Sequence, residues 1–382
     1  MNRKKTIIAI MLPLAAAGML VLVYAFRSTP EQLPSTARDV AEIKLKGDFE
    51  RKWAVNEAGF PIRGLTAMGN TVYYAARGVC AVDAATGAKL WETEPAADST
   101  PAVSEGTVAY GGRDNNLYAF DTATGKEKWR FRTVQSAASP AISGGSVFYG
   151  TSSGDLHALD AVSGEEKWHA KIPGGIIEAL AAEGNNLAVL STDSRAGTGT
   201  ITVLDAAAGR VKWTESALSG QPGMTLSGGI IYIMAPVPGS NPPFSDLRAL
   251  DAENKTVKWE KNVSSNYYNY SPMRVIDGTL YVGNMEASAP VLSGLDPGSG
   301  TERWACRLDH PTGVLQPSAA VGGLVFFGGS SEIFAADAVT GDLRWHVSAG
   351  GMLSNSPAVA GDSICFTYGS GGTLYALPLP KA

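Results

Sequence analysis

Several residue types in this sequence have the chemistry for catalysis or ligation, and their spacing decides which uses are open. Gly150-Thr151-Ser152-Ser153-Gly154 matches G-x-S-x-G. That pattern presents a serine nucleophile only where a strand runs into a helix, and here it falls in a strand-to-strand turn. His157, His169, His310 and His346 are scattered along the chain, and metal ligation needs side chains that converge. No convergence is expected from their spacing. Cys80, Cys306 and Cys365 are widely separated and form no C-x-x-C or adjacent pair. Neither a zinc site nor a disulfide framework follows from them, and they read as small buried hydrophobes. Aspartate behaves differently, because it recurs in register with tryptophan. The pairs are Asp83/Trp91, Asp121/Trp129, Asp160/Trp168, Asp205/Trp213, Asp251/Trp259, Asp296/Trp304 and Asp337/Trp345, always eight residues apart.

That recurrence is an internal repeat, and each part of it has a physical task. An alternating run such as Asn116-Leu117-Tyr118-Ala119-Phe120 precedes the Asp and predicts a half-buried strand. The carboxylate can accept backbone N–H groups in the turn that follows. Glycine four residues later (Gly87, Gly125, Gly164, Gly209, Gly300, Gly341) supplies a positive φ. The Trp strand then returns antiparallel, so Asp-Ala-x-Thr-Gly is a hairpin and not a catalytic loop. The fifth unit departs, with Asn254-Lys255 where Thr-Gly is expected. Upstream in each unit lies a second turn pair, among them Gly69-Asn70, Gly144-Gly145 and Gly322-Gly323, of the kind two-residue hairpins favour. Four strands per repeat of about 38 to 46 residues is the pattern of a propeller blade.

The count of units is eight. The last, Ser356 to Leu377, reaches Pro378 where an Asp should stand and lacks a Trp, while Asp48 to Val55 carries Trp53 with no hairpin before it. The expectation is an all-β, eight-bladed β-propeller of four-stranded antiparallel blades, with Trp53's strand completing the last blade and leaving no open edge. Because the first and last blades then adjoin, a Cys80–Cys365 bridge stays open as an alternative to free thiols.

Ahead of the repeats, Asn2 to Lys5 is a short basic patch and Thr6 to Phe26 carries no charge over 21 residues, long enough to span a bilayer as a helix. A cleaved signal usually has an apolar core of about 7 to 15 residues, which favours an uncleaved signal-anchor, although Val23-Tyr24-Ala25 would serve as a cleavage site. No cysteine at lipid-attachment spacing follows. Either reading exports everything after Arg27. The expected organisation is a cytoplasmic stub and membrane segment over 1–27, a linker over 28–46 and a propeller over 47–382. The formal charge is −5, and the first 27 residues hold four cations and no acid. The exported body is therefore more acidic still, which argues against a nucleic-acid partner.

The Ala-x-Asp-x-x-Thr-Gly-x-x-x-Trp pattern, as in Ala119 to Trp129 and Ala335 to Trp345, resembles the PQQ-like repeat of the quinoprotein dehydrogenase propeller superfamily. The likeness covers nearly everything from Phe49 onward and is closest to the small stand-alone BamB-like propellers, which are non-enzymatic scaffolds of outer-membrane protein assembly. The Gly-His and Trp-Asp marks of WD40 repeats are missing. The resemblance implies that Trp53, Trp91, Trp129, Trp168, Trp213, Trp259, Trp304 and Trp345 dock between successive blades. The enzymes of the superfamily add adjacent cysteines over the quinone PQQ, a calcium cluster and a catalytic Asp. No two cysteines adjoin here and turns account for the repeat aspartates, so neither cofactor nor catalytic residue is expected. The alternative is a PQQ-dependent oxidoreductase.

Long loops on a rigid scaffold are where binding tends to reside. The second-to-third loops are extended in three consecutive units, over Ser191 to Thr200, Ala235 to Asp246 and Asn284 to Pro290, and the connector Asn262 to Tyr270 opens on the same face. Asn241, Phe244, Tyr267, Tyr268, Tyr270 and Glu286 are the candidate patch for an envelope protein or glycan partner, since tyrosine joins an apolar face to a polar tip. The competing reading is that these residues pack on one another to shield the rim.

Overall fold

The computed structural model describes residues 51–380 apart from 58, 105, 134–137, 174, 194–197, 219–223, 237–244, 264–272, 287–288, 310–312, 314 and 370–371. The expected apolar span and linker lie outside the described residues. Among the described residues no helix is long and apolar enough to cross a membrane.

Among the described residues, thirty-two strands form eight four-stranded antiparallel sheets. Strand β1 (Trp53–Asn56) precedes blade 1, which is β2 (Arg63–Met68), β3 (Thr71–Ala75), β4 (Val79–Asp83) and β5 (Lys89–Glu92). Blade 2 is β6 (Ala102–Ser104), β7 (Thr107–Gly111), β8 (Asn116–Asp121) and β9 (Glu127–Arg132); blade 3 is β10 (Ala141–Ser143), β11 (Ser146–Gly150), β12 (Asp155–Asp160) and β13 (Glu166–Lys171). Blade 4 comprises β14 (Ile176–Glu183), β15 (Asn186–Asp193), β16 (Thr198–Asp205) and β17 (Val211–Leu218); blade 5 comprises β18 (Met224–Ser227), β19 (Ile230–Pro236), β20 (Ser245–Asp251) and β21 (Val257–Val263). Blade 6 is β22 (Arg274–Ile276), β23 (Thr279–Glu286), β24 (Ala289–Leu295) and β25 (Glu302–Arg307); blade 7 is β26 (Gln316–Val321), β27 (Leu324–Gly328), β28 (Glu332–Asp337) and β29 (Leu343–Ser348). Blade 8 is β30 (Ala358–Ala360), β31 (Ser363–Phe366) and β32 (Thr373–Pro378), completed by β1, which pairs Trp53 with Ala376 and Asn56 with Thr373. The first strands, A, of successive blades adjoin around a central axis, β2 to β6 and onward to β30, which meets β2 again. The ring is closed as expected.

Each hydrophobic core lies between two blades. Tyr73, Val79 and Ala81 of blade 1 pack with Val108, Tyr110 and Tyr118 of blade 2, and Leu374 and Ala376 of blade 8 pack with Val72, Tyr74 and Cys80 of blade 1. Cys80 and Cys365 share that last core as free thiols, so the bridge left open is not formed.

The third-to-fourth (C–D) turns behave as the repeat predicts. In blade 3, Asp160 Oδ1 accepts the N–H groups of Val162 (3.0 Å) and Ser163 (2.9 Å), and those two bonds with Lys167 hold its carboxyl down at about 2. The glycine four residues on has a second duty. A Cβ on Gly164 would come within 2.5 Å of the Trp129 ring of the preceding blade. In the fifth unit Lys255 takes the left-handed conformation itself, at φ 65°, and its N–H still reaches Asp251 O at 2.9 Å. The indoles of Trp53, Trp91, Trp129, Trp168, Trp213, Trp259 and Trp304 each donate Nε1–H to a backbone carbonyl of the next blade, at 2.8–3.1 Å. Trp345 faces blade 8, which has no such turn, and packs on the core of Ile364 and Leu377.

Candidate partner-binding face

Antiparallel order puts the A–B and C–D turns at one end of the ring and the B–C turns with the blade-to-blade connectors at the other. At the B–C end the blades are unequal. In blades 2, 3 and 7 the B strand stops after 5 residues, whereas β15 and β23 run for 8 and β19 for 7. Pairing continues out to Asp193↔Thr198, Pro236↔Ser245 and Glu286↔Ala289. The segments Ser191 to Thr200 and Asn284 to Pro290, read from sequence as loops, are therefore largely extensions of the hairpins. Thr192, Thr200 and Ile201 are strand formers whose ladder hydrogen bonds are better satisfied in pairing than in water. At about 3.3 Å per residue, the two or three added residues raise these three of the eight blades by about 7 to 10 Å.

Of the candidate patch, only Glu286 falls within the described residues. Glu286 ends β23 opposite Ala289, with its side chain outside the described residues. Asn241, Phe244, Tyr267, Tyr268 and Tyr270 lie outside the described residues altogether. Asn262, placed by the sequence at the start of the connector, is instead paired strand, opposite Asp246. Beneath the hairpins blades 4 and 5 are tied by charge. Arg248 lies 3.2 Å from Glu260, 3.4 Å from Glu215 and 3.7 Å from Asp246, and Lys255 is 2.7 Å from Glu215.

The structure also corrects the reading of the histidines. His157 and His169 stand directly opposite each other on β12 and β13, with rings stacked 4.7 Å apart. Their nitrogens turn to separate carboxylates: His157 Nδ1 is 2.7 Å from Glu166 and His169 Nε2 is 3.4 Å from Asp155. Parallel rings with separate partners do not aim at one metal ion. His346 lies beside Phe334, and His310 is outside the described residues. Ser152 belongs to the hairpin turn between β11 and β12, so no nucleophile elbow exists there.

Among the described residues one group has metal-ligand proximity: Glu57, Cys80 and Glu92 bring their ligand atoms within 4.8 Å of one another. Its chemistry suits a seam better than an ion. Burial, then the Glu57 charge, pushes the Cys80 thiol up to about 12, so it stays protonated at neutral pH. Lys89 Nζ lies 3.4 Å from Glu57 and 2.8 Å from Glu92, while the Tyr74 hydroxyl donates to Glu57 at 2.5 Å. Glu57 follows β1, so these bonds clasp the closing strand to blade 1.

A sequence model of the family described as outer membrane protein assembly factor BamB matches residues 50–174, 131–284 and 287–378. The chain belongs to that family. No curated protein sequence matches it. Among solved structures the BamB of Moraxella catarrhalis is similar at 16% identity with a TM-score of 0.62, over 86% of this chain and 99% of that one. The computationally designed Ika8 protein gives 16% and 0.67, over 84% and 97%. The quinohemoprotein alcohol dehydrogenase of Comamonas testosteroni gives 18% and 0.61, over 87% of this chain and 77% of that enzyme. At these identities the likeness is one of fold.

One recurrent feature escaped the sequence reading. The residue before each Trp is Lys52, Lys128, Lys167, Lys212, Lys258, Arg303 or Arg344, and only blade 1 departs, with Leu90. In blades 2 to 7 this residue is the extra one of a β-bulge, as where Ala158 pairs Trp168 and Leu159 pairs Glu166, skipping Lys167. The bulge aims the side chain at the A–B turn. Lys128, Lys167 and Arg303 each donate to a turn carbonyl and to the hydroxyl that follows it, at 2.9–3.0 Å. Leu90 leaves that position apolar and 53% exposed.

Proposed function

We propose that this chain is a non-catalytic propeller held at the membrane by its amino-terminal apolar segment, ring outward, where it binds an envelope protein through the raised three-blade arc of its B–C face. The observation that carries the reading is the run of three consecutive blades, 4, 5 and 6, whose B–C hairpins outreach the others. Along the sequence Asn241 and Phe244 lie between β19 and β20, Tyr267, Tyr268 and Tyr270 lie between β21 and β22, and Glu286 ends β23. Tyrosine side chains offer a large contact area at little conformational-entropy cost on binding. The family's description as an assembly factor supports a protein over a glycan.

The donor set does not fit a bound quinone of the kind the superfamily's enzymes use. Their adjacent thiols have no counterpart, because Cys80, Cys306 and Cys365 are buried and separate. The acidic pair Glu57 and Glu92 is already engaged by Lys89. Titration of the purified protein with PQQ and calcium is expected to leave the quinone spectrum unchanged and to support no dye reduction with alcohols or sugars; a shifted spectrum with turnover overturns the non-catalytic reading. For the binding reading, the double variant Tyr267→Ala/Tyr268→Ala is expected to keep the wild-type unfolding temperature and lose capture of the envelope partner. A large fall in unfolding temperature would make those tyrosines packing residues and remove the patch.

A further inference from the structure

The inner strands carry one charge where the repeat calls for none. The register fixes an equivalent A-strand position in each blade, the one opposite the B-strand residue whose C-strand partner pairs with the Trp. It is Thr66 in blade 1, Thr225 in blade 5 and alanine in every other blade but the sixth, Ala181 and Ala319 among them. In blade 6 it is Arg274, opposite Tyr281. Small residues suit this position, because adjacent inner strands pack closely there. Thr66, for example, donates its hydroxyl to Pro101 O of the next blade at 2.7 Å.

Arg274 is solvent-exposed although it stands on the first strand of its blade, the one that adjoins the first strands of blades 5 and 7 around the axis. The protein crowds it nonetheless, and burial depresses its pKa below the usual arginine value, with no charged group contributing to the shift. Among the described residues no carboxylate, carbonyl or hydroxyl accepts from it. A guanidinium presents five donors in a planar fork and is costly to crowd without a counter-charge. The flanking inner strands add polar groups: Thr225 at the same level on β18, and Gln316 at the start of β26, whose Oε1 accepts from Ser356 at 2.6 Å and whose amide N–H groups remain available among the described residues.

We infer that Arg274 is the anchor of an oxyanion-binding site in the central channel, taking a carboxylate or phosphate group of a small ligand. The formal charge of the whole chain is −5, so the general field repels anions and the hold is local. This site is separate from the partner face and does not depend on it.

The test compares wild type with Arg274→Ala and Arg274→Gln, using inorganic phosphate against potassium chloride at matched ionic strength. Phosphate stabilises most folded proteins through exclusion from their surface, so the readout is the difference between proteins. Wild type is expected to gain at least about 2 °C more in unfolding temperature than either variant, by linkage of binding to folding. Calorimetric titration with phosphate is expected to show heat of binding that both variants lose. Without phosphate, Arg274→Ala restores the small residue of the other blades and is expected to unfold at the wild-type temperature or above. Equal phosphate responses in all three proteins overturn the site. A fall of several degrees in both variants without phosphate overturns it too, since that marks a structural arginine.

Discussion

At the C–D end of the blades Asp160 and Asp337 each accept the same pair of turn N–H groups, and Lys167 and Arg303 reach the same turn carbonyl and hydroxyl. At the B–C end of the same sheets, β11 stops after 5 residues and β15 after 8. The contrast has a physical origin. The C–D end is where indole, glycine and carboxylate of neighbouring blades interlock, so each blade constrains the next. The B–C end contributes little to that lock, and hairpins there can lengthen without strain. A ring of this kind keeps its geometry at one end and is free to acquire binding surface at the other.

The comparison is broken most severely at the indoles. Trp213 is 9% exposed within the blade 4–5 core, and Trp213→Ala is expected to cost about 3–5 kcal/mol in chemical denaturation. Glycines give the next largest contrast. Gly164 and Gly145 have similar φ, 75° and 68°, but an added Cβ meets the Trp129 ring at 2.5 Å in the first case and open space in the second. Gly164→Ala should therefore cost about 2–3 kcal/mol more than Gly145→Ala, whose penalty is backbone strain alone.

Acid sharpens the comparison further. The Asp160 carboxyl is held at about 2 and those of Asp205 and Asp337 lie below their ordinary value, chiefly through hydrogen bonds. A depressed carboxyl contributes stability that is fully present above the unfolded pKa of about 4 and is lost as pH falls through the folded value. The unfolding temperature should be level above about pH 5 and fall between about pH 4 and 2, less steeply in Asp160→Asn. Smaller still, Leu90→Lys restores the missing cation of blade 1 and is expected to stabilise by about 0.5–1 kcal/mol. At the other end, the tyrosine substitutions should leave stability unchanged.

Much of this was legible because the repeat writes its constraints locally. Asp, Gly and Trp act within one turn and one neighbouring strand, so their spacing along the chain revealed blade number, closure and the role of the aspartates. The cation before seven of the eight Trp residues was nearly as regular, yet its partner is the A–B turn some twenty residues back, as Lys128 is from Gly106. Its meaning emerged only with the bulge. The clasp at Glu57 joins residues of different blades, and Arg274 stands out only when A–B pairing aligns it with Thr66 and Thr225. The raised hairpins were not legible because Ser191 to Thr200 is rich in Ser, Gly and Thr without apolar alternation, and its pairing is set by register across the hairpin.

The most direct measurement of the binding claim is site-specific photo-crosslinking in intact cells, with the photoreactive residue placed either at Tyr268 or at Val162, a 74% exposed tip of a C–D turn. Adducts with a distinct envelope protein from Tyr268 and none from Val162 are predicted. Adducts from Val162 with none from Tyr268 would contradict the account.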